Sequence, residues 1–166
     1  AGQGTTVGSE LGRMKAAIGG AYGQVRAALA GLREPAAAAD DLAEKLAASL
    51  ADFREASGLP ADLIVDDASA LALPRAAQTQ VVHIVREALT NVRRHARAQH
   101  ACVRVERVNG AACFSVADDG YGFDPQADGG ADHLGLTIMR ARAERSGGQL
   151  QIESARGAGT KVIARF

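Results

Sequence analysis

In "VREALTNVRRHA", residues 85–96, a carboxylate, an amide and an imidazole recur at every fourth position: Glu87, Asn91 and His95. Residues four apart are neighbours on a helix surface, so the three form one polar stripe, suited to solvent or to a ligand. A second concentration of useful side chains follows a strand-like run: "CFSVAD" leads directly into Asp118-Asp119-Gly120-Tyr121-Gly122. Its two glycines permit unusual backbone angles and close approach of the backbone to something flat. A strand ending in a carboxylate and two such glycines is built like the rim of a pocket.

Several common glycine and aspartate sites are excluded. There is no G-x-x-x-x-G-K-[ST], which removes the P-loop, and no G-x-G-x-x-G after a strand, which removes the dinucleotide fingerprint. A calcium loop counted from Asp118 needs glycine at its sixth position and finds Phe123. His100 and Cys102 are two candidate metal ligands with no further Cys/His cluster beside them, so zinc is not expected. Taken singly, the remaining features are ordinary: Asp-Asp-Gly makes turns, and a polar helix face is normally solvated.

The elements that must position these residues are legible from periodicity. Leu11, Met14, Ile18, Tyr22, Val25, Leu29 and Leu32 recur at threes and fours, the pattern of an amphipathic arm close to a coiled-coil seam, which Pro35 breaks. A second helix buries Leu42, Leu46, Leu50 and Phe53 and stops at Gly58. After a short strand at "LIVDD", a third helix through Ala96 buries Val81, Ile84, Val85, Ala88 and Val92, with the polar stripe at the edge of that face. "ACVRVERV" and "AACFSVAD" form a hairpin about Asn109-Gly110, the pair suited to a type I′ turn. A long Gly- and Asp-rich loop, a fourth helix "LGLTIMRARAERS" stopped by Gly147-Gly148, and a hairpin of "QLQIES" with "TKVIARF" complete the chain. Helices grouped with antiparallel hairpins predict an α/β two-layer sandwich, a mostly antiparallel mixed sheet covered on one face by helices, with an N-terminal helical arm.

Composition bounds the rest. The 166 residues suffice for one domain and an appendage, and a formal net charge of zero gives no electrostatic reason to expect nucleic acid. Two cysteines without a framework fit a reducing, cytoplasmic compartment. No apolar run is long enough to span a bilayer, and the opening "AGQGTTVGSE" reads as the edge of a longer chain.

The stripe, the Asp-Asp-Gly-Tyr-Gly run and "GLTIMRARAERSGG", in that order with a glycine-rich loop between the last two, resemble the N, G1 and G2 boxes of the histidine-kinase/Hsp90/gyrase/MutL ATPase superfamily, the Bergerat fold. Within it, "REALTNVRRHA" is similar to the helices of nitrate/nitrite-sensor histidine kinases. The resemblance covers roughly residues 36–166 and implies an ATP-binding catalytic domain there, with residues 1–35 the remnant of a dimerisation helix and its linker. It implies that Asp118 accepts from the adenine 6-amino group, that Gly120 and Gly122 fit the backbone beside the nucleotide, and that Asn91 gives its amide oxygen to Mg²⁺. Glu87 takes the place of a general base, His95 lies near the phosphates, Gly135 opens a helix whose amide end receives phosphate, and Thr160 is a further pocket candidate.

The same resemblance makes 124–134 an ATP lid with mobile points at Gly129 and Gly130. None of His83, His95, His100 and His133 has the neighbours of a phosphoacceptor histidine. The expected reaction is therefore transfer of the γ-phosphoryl group of Mg-ATP to a histidine on dimerisation helices absent from this chain, then to a response regulator. The parent kinase could be anchored at the inner membrane, and the chain itself is expected to be monomeric or weakly associated through the arm. The competing readings are a non-catalytic nucleotide switch, an anti-sigma-factor-like serine kinase and, more weakly, a clamp ATPase.

Overall fold

The computed structural model describes residues 35–125 and 134–166. Helix α1 spans Pro35–Ser57, strand β1 Ala61–Val65, a 3₁₀ turn Ala68–Leu71 and helix α2 Arg75–Asn91. Strands β2 (Ala101–Val108) and β3 (Ala111–Asp118) precede helix α3 (Leu134–Arg145), and β4 (Gln149–Ser154) and β5 (Thr160–Arg165) close the fold. Pro35 is the first described residue and opens α1, where its fixed φ and missing N–H cost little. The arm predicted over residues 11–32 lies outside the described residues.

The sheet order is β1-β2-β3-β5-β4, with β1 parallel to β2 and every other pair antiparallel. Asn109 and Gly110 both adopt positive φ, 52° and 85°, as the type I′ turn between β2 and β3 requires. Residues paired across strands share a face, so Val103, Val116 and Val162 line up, as do Val105, Phe114 and Ala164. These side chains join Leu42, Leu46, Leu50 and Phe53 of α1, Val81, Val85 and Ala88 of α2, and Met139 and Ala143 of α3 in one core. Helices thus cover one face of a mixed sheet. Each fully buried leucine or valine contributes about 1.5–3 kcal/mol by leaving water, and spacing at threes and fours on the helices and at twos on the strands assembles them on one side.

One consequence of the register bears on function. Moving along the inner face past Val103, Val116 and Val162, the next row reads Ala61, Ala101, Asp118, Thr160 and Ser154 across all five strands. The apolar face therefore ends in small residues on one side and in a carboxylate and two hydroxyls on the other.

Candidate nucleotide site

Asp118 is the last residue of β3 and is about half-buried. Burial pushes its carboxyl above the usual carboxylate range; the backbone amides of Gly120 and Thr160 oppose that shift, and neighbouring Asp119 adds to it. The Gly120 N–H donates to Asp118 Oδ1 at 2.8 Å, so the Asp-Asp-Gly run does form a tight turn, now one that fixes the carboxylate's orientation. Asp119 has a different task. Its Oδ1 accepts from the amides of Gln99 (2.8 Å) and His100 (2.9 Å), and those bonds hold its carboxyl below the usual range. It clamps the β3 end to the start of β2, with His100 in turn contacting Asp62 at 2.9 Å.

The glycines answer to protein neighbours. A Cβ on Gly120 would strike the Ala96 carbonyl, and one on Gly122 would strike the carbonyls of Ala155 and Gly159. On the side where a Cβ would point, both glycines lie against protein, the end of the α2 segment and the β4–β5 turn. Gly159, at φ +72°, lies in the same way against the Asp118 carbonyl, whereas Gly157, at φ +82°, faces open space. Alanine at either position adopts a strained left-handed backbone, costing about 1–3 kcal/mol, but only Gly159→Ala also collides with backbone. In denaturant unfolding Gly159→Ala should cost more than twice as much as Gly157→Ala; equal losses would mean that the approach to Asp118 can relax freely.

The polar stripe is placed less simply than its spacing suggests. Glu87 and Asn91 lie on α2, half-buried, but Val92–Ala96 is a π-helical turn and Arg97 is left-handed at φ 51°. The wider turn rotates His95 away from the azimuth that a continuous α-helix would give it, and His95 is exposed. What the π turn gains is the Ala96 carbonyl, which accepts the Tyr121 N–H at 2.7 Å and so ties the end of α2 to the loop after Asp118. Gly135, in the first turn of α3, packs against the stripe: a Cβ there would lie 2.7 Å from Glu87 Oε1 and 3.6 Å from Asn91 Nδ2. Thr160 stands opposite Asp118 in the register, its Oγ1 3.0 Å from Ser154 Oγ.

Two clusters result, one of Glu87, Asn91 and Gly135, the other of Asp118, Gly120, Gly122 and Thr160, linked through Ala96. The lid expected over 124–134 is described only at Asp124, Pro125 and Leu134, and Gly129 and Gly130 lie outside the described residues. Among the described residues no group of three or more His, Cys, Asp or Glu could hold a metal ion. A hard cation that takes a single protein oxygen and completes its shell with phosphate and water asks only for an oxygen such as the Asn91 amide, not for a closed protein cage. A separate cavity of about 280 Å³ between α1 and α2, lined by Ser49, Phe53, Arg86, Leu89 and Arg93 among others, contains none of these residues. Among the described residues no helix is long and apolar enough to cross a membrane.

Asp119, Ser154 and the Ala96 carbonyl are contributions that the sequence reading missed. Ser154 sits in an ordinary alternating strand, and a backbone carbonyl has no sequence signature at all.

Residues 76–166 match the family described as "Histidine kinase-, DNA gyrase B-, and HSP90-like ATPase". The chain is 31% identical over 144 residues to the sensor histidine kinase LiaS of Bacillus subtilis, covering 87% of this chain and 39% of that protein. It is 39% identical over 98 residues to the nitrate/nitrite sensor protein NarQ of Escherichia coli, covering 58% of this chain and 17% of that one. Among solved structures, the histidine kinase domain of the blue-light activated kinase EL346 from Erythrobacter litoralis superposes with a TM-score of 0.63 at 23% identity, over 75% of this chain and 60% of that one. The catalytic domain of histidine kinase ThkA gives 0.60 at 16% identity, over 76% of this chain and 91% of that one. The chain therefore spans well under half the length of these two sensor kinases, and the structural likeness speaks for the fold.

Proposed function

Because this chain belongs to the histidine kinase-, DNA gyrase B- and HSP90-like ATPase family, we propose that residues 36–166 are the ATP-binding catalytic domain of a sensor histidine kinase and residues 1–35 the remnant of a dimerisation helix. The observation that carries this reading is the half-buried Asp118 carboxylate, held by its own turn at the polar end of an otherwise apolar sheet face. An acceptor so placed matches the adenine 6-amino group and mismatches the 6-oxo group of guanine.

The two clusters divide the labour. Asp118 and Thr160 take the base. Glu87, Asn91 and the first turn of α3 face the phosphates, where the amide end of a helix favours anions. Asn91 would hold Mg²⁺ through its amide oxygen, and Mg²⁺ when bound neutralises phosphate charge and fixes the geometry of transfer. Glu87 would polarise the incoming imidazole as general base, and the exposed His95 lies at the margin of the stripe, near the phosphates. The receiving histidine belongs to the dimerisation helices of the parent kinase, and a response regulator is the next acceptor.

Calorimetric titration of ATP with and without Mg²⁺ tests the cation assignment. Asn91→Ala should weaken binding roughly tenfold in Mg²⁺, the loss of one bond to a charged group, and change little without it. An equal loss in both conditions would place Asn91 on the nucleotide itself or in the fold, and would remove the Mg²⁺ role.

A further inference from the structure

Ser154, on edge strand β4, spends its whole hydrogen-bonding capacity on three partners at the edge of the candidate base pocket. Its Oγ lies 3.0 Å from the Gly159 carbonyl, 2.9 Å from the Phe123 amide nitrogen and 3.0 Å from Thr160 Oγ1. A hydroxyl has one proton and two lone pairs. The carbonyl can only accept, so it takes the Ser154 proton. The amide can only donate, so it takes one lone pair. The remaining contact therefore runs from the Thr160 hydroxyl to Ser154, and Thr160 has no proton left to offer elsewhere.

Thr160 stands opposite Asp118 on the same sheet face, where paired Cβ atoms lie about 5 Å apart. We infer that Ser154 is a positioning residue for nucleotide selectivity: by claiming the Thr160 proton it leaves only acceptors, the Thr160 lone pairs and the Asp118 carboxylate, facing the base. Two adjacent acceptors suit an exocyclic amine with two N–H groups and repel a 6-oxo group. The inference rests on the ATP-binding reading and extends it to a residue that need not touch the ligand. The Phe123 bond adds a second effect, since it fixes the chain where it leaves Gly122 against the β4–β5 turn.

The experiment measures the affinities of the 166-residue chain for ATP and for inosine triphosphate, which carries the 6-oxo group without guanine's extra amine. The variants are Ser154→Ala, Ser154→Thr, Thr160→Val and the Ser154→Ala/Thr160→Val pair. Freed of Ser154, Thr160 can turn its proton toward the base, so Ser154→Ala should lower the ATP-to-ITP affinity ratio about fivefold, the worth of one neutral hydrogen bond. Ser154→Thr keeps a hydroxyl and should keep the ratio. Once Thr160 is valine, adding Ser154→Ala should leave the ratio where Thr160→Val put it.

A Ser154→Ala variant that weakens both nucleotides by the same factor has lost only structure, and that result overturns the inference. So does a ratio that falls equally in the Thr160→Val background. Should Ser154→Ala fail to fold, Thr160→Val, which leaves the Phe123 and Gly159 bonds in place, must itself lower the ratio; an unchanged ratio overturns the inference. A wild-type chain that binds neither nucleotide overturns the ATP reading and this inference with it, whereas wild-type ATP binding with an insensitive ratio overturns this inference alone.

Discussion

Asp118→Asn should reduce ATP affinity by about 10- to 100-fold while leaving the apo protein at least as stable as wild type near neutral pH. The affinity loss follows from replacing a charge-assisted acceptor, worth about 1.5–3 kcal/mol, with an amide that can turn a donor toward the adenine amine. The stability result follows from the carboxyl's raised pKa, whose first cause is burial. With the folded value above the unfolded one, the contribution of this group to stability is complete below the ordinary carboxylate range and is lost as pH rises through the raised value. Nucleotide binding has the opposite slope, because only the ionised form is the strong acceptor, so ATP affinity should fall as the pH drops through the same window. Thermal unfolding at pH 7 and pH 4 and calorimetry with ATP check both halves. A mutant that keeps wild-type affinity would remove Asp118 from the base pocket, and one destabilised at pH 7 would show that the charge is stabilised in place.

Glu87→Gln carries the second large effect, on rate. In a kinase assembled with its acceptor helices, ATP binding should remain within a few-fold of wild type while phosphoryl transfer slows roughly 100-fold, the lower part of the range for a positioned general base. Positioning and charge neutralisation supply most of phosphoryl-transfer catalysis, which argues for that lower part. The nearness of Gly135 to Glu87 Oε1 gives a check on interpretation. Glutamine has the same shape, so packing against α3 persists and a loss of rate reads as chemistry. Single-turnover measurements separate the steps; a binding defect as large as the rate defect would place Glu87 on the nucleotide.

Most of the architecture could be read from the chain because it depends on local pattern. Leu42, Leu46, Leu50 and Phe53, and Val81, Ile84, Val85, Ala88 and Val92, are all buried as their periods require. The Asn109-Gly110 hairpin and the stop at Gly58 depend on backbone angles that few residues adopt. The failures share a cause. The π turn at 92–96 ends on a tertiary bond, Tyr121 N–H to the Ala96 carbonyl, that no local propensity encodes. Gly120 and Gly122 announce by their type that something comes close, but a missing Cβ does not say what, and on the Cβ side it is backbone from residues 96, 155 and 159. Ser154 was invisible for the same reason, since its partners are set by strand pairing and by the fold of two loops. By contrast Glu87, Asn91, Asp118 and Gly135 became candidates because the motifs of the resemblance carry them as residue types.

The most direct measurement supplies the isolated chain with γ-labelled ATP, Mg²⁺ and a separate dimeric piece carrying the acceptor helices of its parent kinase. None of the four histidines has acceptor-like neighbours in the sequence, so the chain alone should bind ATP and remain unlabelled. With the acceptor piece present, label should appear on that piece and be lost in acid, as phosphohistidine is. Acid-stable label on the chain itself, or tight ATP binding with no transfer to the acceptor helices, would contradict the account.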